Sequence, residues 1–160
     1  MSISENRAAL RAVLERDLRG MFVFPEVIAL TAADVAWFRR HARLYTQPVA
    51  PPRLLRGKEG ECWRNAFRAS VRDPSLHYVQ GFVHPSHADK LVPHAWCVDD
   101  TGTLIELMWD VTRAMGGERY VGVIFTFEDL MALQTAFGRM GWYNGFAGVL
   151  GGDDDVVRAL

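Results

Sequence analysis

HAWCVDDTGTLIELMWD, residues 94–110, contains two apolar runs parted by Asp99-Asp100-Thr101-Gly102. Each run is short for a helix, and both suit a half-buried pleated surface. Asp, Thr and Gly in the break are residue types that reverse a chain tightly. The stretch therefore reads as a β-hairpin with strands over 94–100 and 103–110. A hairpin is antiparallel and needs no crossover helix, which sets the class of the sheet it belongs to.

Working outward, LHYVQGFVH (76–84) and RYVGVIF (119–125) read as two more strands. Between the N-terminal region and the first strand lies CWRNAFRASVR (62–72), a helix entered through RGKEGE and ended at Asp73-Pro74. Thr126 is placed to cap a helix running to about Gly138. Upstream, Ala9, Leu10, Val13, Leu14 and Leu18 trace one face of a helix over 4–19, with Gly20 as its stop. A second helix is expected over 31–44, opened by Thr31 and Asp34, with Val35, Phe38, His41 and Leu44 on one face. The prolines of QPVAPPR (47–53) force a connector after it. The glycine-rich tail, 141–160, has no assigned element. The expected fold is α+β: an antiparallel sheet of about four strands packed against the helix that opens with Cys62, plus N-terminal helices. One domain over 1–160 is expected, with a helical layer at 1–50, a core at 60–126, and a helix and tail at 127–160.

The chain has 160 residues, 49% hydrophobic and 23% charged, which suits a globular protein with a real core. A formal net charge of −1 gives no general attraction to nucleic acid or to an anionic membrane. No apolar run approaches the roughly 20 residues that span a bilayer. The N-terminus lacks the pattern of a signal peptide, so a cytoplasmic location is expected. In that compartment Cys62 and Cys97 are not expected to form a disulfide, and each thiol needs its own explanation.

Cys62 follows Gly60-Glu61 and opens a helix, where unpartnered amides and the helix dipole favour a thiolate. The plainer alternative is a small buried apolar residue. His94 opens a strand and is available to take the Cys62 proton and return it to a leaving group. Such a base needs a partner to fix its tautomer. Glu106 stands inside the apolar run Thr103–Trp109, where a carboxylate needs a partner of its own. A turn centred near residue 100 places Glu106 opposite His94. Asp110 is the alternative acid.

Cysteine at a helix start, a His94-Ala95-Trp96 strand and an acid on the next strand resemble the transglutaminase-like branch of the papain-fold enzymes. The likeness extends to small bacterial and phage proteins with a Cys-aromatic-x-Asn-Ala helix, a Tyr-Val-x-Gly strand and a His-Ala-Trp strand. Here those motifs are Cys62-Trp63-Arg64-Asn65-Ala66, Tyr78-Val79-Gln80-Gly81 and His94-Ala95-Trp96, spread over about residues 60–125. The resemblance implies a Cys62–His94–Glu106 triad acting on an acyl group of a protein, peptide or amide substrate, without metal or cofactor. It also offers Gln80 as a donor to an oxyanion, the alternative being a strand residue bonded to backbone. Two positions depart from the pattern. Glu106-Leu107-Met108 stands where Asp-Pro-Thr is usual, and Gln80 stands where Glu is common.

Two other readings share these residues. One is a non-catalytic binding module on the same fold. The other is a zinc site drawn from His84, His87, His94 and Cys97, although strand alternation points His94 and Cys97 to opposite faces.

Overall fold

The computed structural model describes residues 32–52, 55, 57–58, 60–85, 92–108, 117–138 and 150. The helix expected at 4–19, Asp110, His87 and the tail apart from Leu150 lie outside them. The elements in chain order are α1 (Ala32–His41), β1 (Arg43–Tyr45), α2 (Cys62–Arg72), β2 (Leu76–Pro85), β3 (Val92–Asp99), β4 (Leu104–Ile105), β5 (Gly117–Phe125) and α3 (Phe127–Phe137). The five strands form one sheet in the order β1-β5-β2-β3-β4, and every neighbouring pair is antiparallel. The fold is α+β, with one strand more than expected.

The extra strand comes from residues read as the end of a helix. Leu44 continues the 3.6-residue spacing of α1, but the helix stops at His41 and Arg43–Tyr45 pair with Tyr120–Gly122. An exposed edge on β5 offers a full ladder of backbone partners to that segment, and this outweighs one more helical turn.

The hairpin forms, with its pivot one residue further along than expected, which shifts the register by two residues. Asp99 N–H bonds the Thr103 carbonyl at 3.1 Å, so the turn pivots on Thr101. The Asp99 carboxylate accepts from the Thr101 amide at 2.9 Å, the Thr101 hydroxyl at 2.6 Å and the Thr103 amide at 2.9 Å. The bond from Thr101, foremost among these, holds Asp99 below the usual carboxylate range. Gly102 takes a φ of 84°, a conformation glycine adopts without strain. Cys97 therefore pairs with Ile105, and Val98 with Leu104. The strand expected over 103–110 ends after two residues. The proline-rich connector takes up its outer edge: Val49 N–H bonds the Leu104 carbonyl at 2.8 Å, and Glu106 N–H bonds the Val49 carbonyl at 2.9 Å.

Strand alternation divides the core in two. Tyr78, Phe82, Ala95, Cys97, Val121, Val123 and Phe125 share one cluster with Trp37 and Phe38 of α1, Ala66 and Ala69 of α2, and Leu130 and Leu133 of α3. The three helices thus cover one face. α3 is fixed by the expected cap, in which the Thr126 hydroxyl accepts from the Asp129 amide and the Asp129 carboxylate accepts from the Thr126 amide. The other face carries Tyr45, Val79, Val83, Trp96, Val98, Leu104 and Tyr120.

That second face is concave. Strands lie about 4.8 Å apart, so three steps would separate β1 from β3 by about 14 Å in a flat sheet. Yet the rings of Tyr45 on β1 and Trp96 on β3 meet edge to face with centroids 6.0 Å apart. The sheet curls to bring them together. Gly122 makes the curl possible: a Cβ there would come within 2.7 Å of the Trp96 ring and 2.8 Å of a Val79 methyl.

Candidate active site

Cys62, His94 and Glu106 meet at one end of the sheet. Cys62 is the first residue of α2 and is 7% exposed. Glu61 stands at the N-cap without a side-chain cap bond, so no side chain there takes up the first-turn amides. His94 is the third residue of β3 and is likewise 7% exposed. Its ring packs 6.0 Å from Trp96 and 6.3 Å from Tyr120, on the concave face. The imidazole is hydrogen-bonded to Glu106, and Cys62 lies close enough to raise its pKa.

Glu106 is fully buried, and its carboxylate is saturated with donors. His94 Nε2 lies 3.0 Å from Oε1 and 2.9 Å from Oε2. The Met108 amide donates to Oε1 at 2.9 Å, and the Tyr120 hydroxyl donates to Oε2 at 3.0 Å. A buried carboxylate is stable only with such partners. With Nε2 engaged by Glu106, Nδ1 is the ring nitrogen left for Cys62.

Burial by itself would push the His94 pKa down. Interactions with Cys62 and Glu106 more than reverse this and hold it up at about 9. The imidazole therefore carries its proton at neutral pH, beside Cys62 and the Glu106 carboxylate.

Glu106 reaches His94 by a different route from the one its register suggested. Continued in the observed register, the β4 ladder would set residue 106 opposite Trp96. The chain has already left the ladder at Ile105, however, and the glutamate side chain spans the remaining distance. An aspartate is one methylene shorter, which gives the longer acid a geometric reason to be here.

A second device ties the loop before Cys62 to the segment after Glu106. Gly57 N–H bonds the Leu107 carbonyl at 3.2 Å. The buried Asn65 carboxamide donates to the Lys58 carbonyl at 2.7 Å and accepts from the Lys58 amide at 3.3 Å. Its amide group occupies the space that a side chain at position 57 would need. The asparagine of the Cys-Trp-Arg-Asn-Ala motif thus clamps the strand of loop that delivers Cys62.

Gln80 lies on β2, 2% exposed and directly across from Ala95. Its Oε1 accepts from the Tyr78 hydroxyl at 3.2 Å, while its Nε2 has no hydrogen-bond partner among the described residues. An amide donor is thus left over on the helix-covered face, one residue along the sheet from the position across from His94. Cys97 points away from His94: its thiol donates to the Ala66 carbonyl at 3.4 Å beneath α2. Burial, with smaller contributions from the charges of Glu106 and Asp73, pushes the Cys97 thiol up to about 12. His94 and Cys97 therefore cannot ligate one ion from these positions. Among the described residues no group of three His, Cys, Asp or Glu side chains could hold a metal ion.

Tyr120 and Asn65 carry site geometry that sequence reading did not assign. Tyr120 sits in a strand where an aromatic residue is expected for packing alone. Only the curl of the sheet reveals that its hydroxyl meets Glu106. Asn65 had a local signal, a polar residue one turn after Cys62 on the helix face turned toward the core. No helix among the described residues is long and apolar enough to cross a membrane. Compared with known proteins, the chain matches no family model, no curated protein and no solved structure.

Proposed function

We propose that this chain is a cysteine-dependent acyl-transfer enzyme of the papain/transglutaminase kind. The observation that carries the reading is the buried pair His94–Glu106, bonded at 2.9 and 3.0 Å, with the buried Cys62 at the start of α2 near enough to act on the same imidazole. In this reading His94 holds the proton that Cys62 has given up, and the thiolate sulfur attacks the carbonyl carbon of an amide, thioester or peptide bond. The tetrahedral intermediate collapses as His94 passes the proton to the leaving group, and the acyl group remains on sulfur as a thioester. Water or an amine, deprotonated by His94, then attacks the thioester and releases the thiol. Glu106 keeps the imidazole in one tautomer and balances its charge. The Gln80 amide is a candidate donor to the oxyanion. Protease, amidase, deamidase and transglutaminase chemistry all begin with this core.

A non-catalytic binding module on the same fold is the second reading. It is favoured by the burial of both Cys62 and His94, which leaves a carbonyl little room to approach. Iodoacetamide and an activated acetyl ester separate the two. As an enzyme, the protein labels at Cys62 at least roughly a hundredfold faster than at Cys97 at pH 7.5. The ester leaves an acetyl group on Cys62 that Cys62→Ser or His94→Ala prevents. Slow and equal labelling of both thiols with no acetyl adduct would sink the enzyme reading and leave the binding module.

A further inference from the structure

Deepening the acyl-transfer reading, on which it rests, we propose that Tyr120 is a positioning residue of this site, whose hydroxyl takes a share of the Glu106 charge and fixes the carboxylate against His94. Tyr120 belongs to β5, and β2 separates that strand from β3. Its hydroxyl nevertheless donates to Glu106 Oε2 at 3.0 Å, the same oxygen that lies 2.9 Å from His94 Nε2. Phenol and imidazole therefore compete for one atom. β2 contributes Gly81 directly across from His94, and Gly81 pairs in turn with Gly122 on β5, so neither position adds a side chain between them. Tyr120 itself is fully buried and locked against the edge of Trp96 at 5.2 Å. A phenol held this rigidly loses little freedom by donating, which makes it an effective fixed dipole.

The competition has a sign. The pair of His94 and Glu106 loses its proton to become neutral imidazole beside a bare carboxylate. A hydrogen bond from Tyr120 stabilises that carboxylate most when the imidazolium no longer does so. Tyr120 therefore makes the proton easier to release and leaves more of His94 as the free base that deacylation needs. The titratable groups turned toward the pair are Cys62 from α2 and Tyr120 from β5, with Cys97 of β3 near enough to feel the Glu106 charge. Tyr45 from β1 touches Trp96 on the same face, and its own hydroxyl has no hydrogen-bond partner among the described residues. It is a built-in control.

The test follows the His94 ring protons by NMR as pH rises, in the unaltered chain, Tyr120→Phe and Tyr45→Phe. Tyr120→Phe is expected to raise the His94 midpoint by about one pH unit. It is also expected to slow release of an acetyl group from Cys62 roughly tenfold at pH 8. Tyr45→Phe leaves both unchanged. A midpoint that stays put or falls in Tyr120→Phe overturns the proposal, as does an equal rise in Tyr45→Phe. If Tyr120→Phe does not fold, 3-fluorotyrosine placed at position 120 keeps ring and hydroxyl while strengthening the donor. The midpoint must then fall, and a rise or no change overturns the proposal. Failure of the enzyme reading looks different, because the unaltered chain would then show no selective labelling of Cys62.

Discussion

Cys62 opens α2, and Cys97 lies beneath the second turn of the same helix. Both thiols are buried, Cys62 at 7% exposure and Cys97 at 0%. Burial therefore does not distinguish them, and their neighbours do. Cys97 faces a backbone carbonyl that can only accept its proton's hydrogen bond, and the surrounding apolar packing raises its pKa to about 12. Cys62 lies beside an imidazole whose proton is balanced by a buried carboxylate. Under the acyl-transfer proposal the contrast carries a lesson: a buried thiol is expected to react where a proton acceptor with its own counter-charge faces it, and to stay inert where none does.

The most direct way to break this contrast is to remove the counter-charge. Glu106→Ala leaves the Tyr120 hydroxyl, the Met108 amide and the His94 ring without their shared partner in a buried setting. Truncating one member of such a pair is expected to cost about 3–5 kcal/mol of stability, read from the urea unfolding midpoint. In the folded fraction, Cys62 labelling should drop toward that of Cys97. Full retention of selective labelling would show that the helix start alone activates Cys62.

A smaller effect follows from His94. Its pKa rises from 6.5 in the unfolded chain to about 9 in the fold. The corresponding stabilisation is fully present below pH 6.5 and is lost as pH rises through 9. The loss is on the order of 3 kcal/mol, and His94→Gln should flatten it. Urea unfolding from pH 6 to pH 10 measures this, and a pH-independent stability over that span contradicts the charge assignment.

The smallest change falls on the inert partner. Cys97→Ser keeps a donor for the Ala66 carbonyl but places a more polar group under the helix. It should cost about 1–2 kcal/mol, while Cys62 labelling stays within roughly twofold of the unaltered rate. A larger drop at Cys62 would mean that the two thiols are coupled through α2.

Much of this was legible from local pattern. The helix start at Cys62, the His94 strand and the Thr126 cap each rest on residues close in sequence, so periodicity and turn chemistry were enough to find them. Glu106 stood out because a carboxylate in an apolar run is an anomaly at any register. What escaped was set by distant partners. Arg43–Tyr45 became a strand because β5, nearly eighty residues later, offered an open edge. Glu106 left its ladder early because Val49 captured its backbone. Tyr120 gained a role only through the curl of the sheet, to which no short window of sequence refers.

Gly122 and Trp96 bind one another's fates. The indole occupies the volume that any side chain at position 122 would claim, and the strands carrying them are not neighbours. Over evolutionary time the two sites can drift only in concert: a bulkier residue at 122 demands a slimmer one at 96. Collections of divergent sequences sharing this architecture should reveal that exchange as correlated substitution, written across a gap of twenty-six positions.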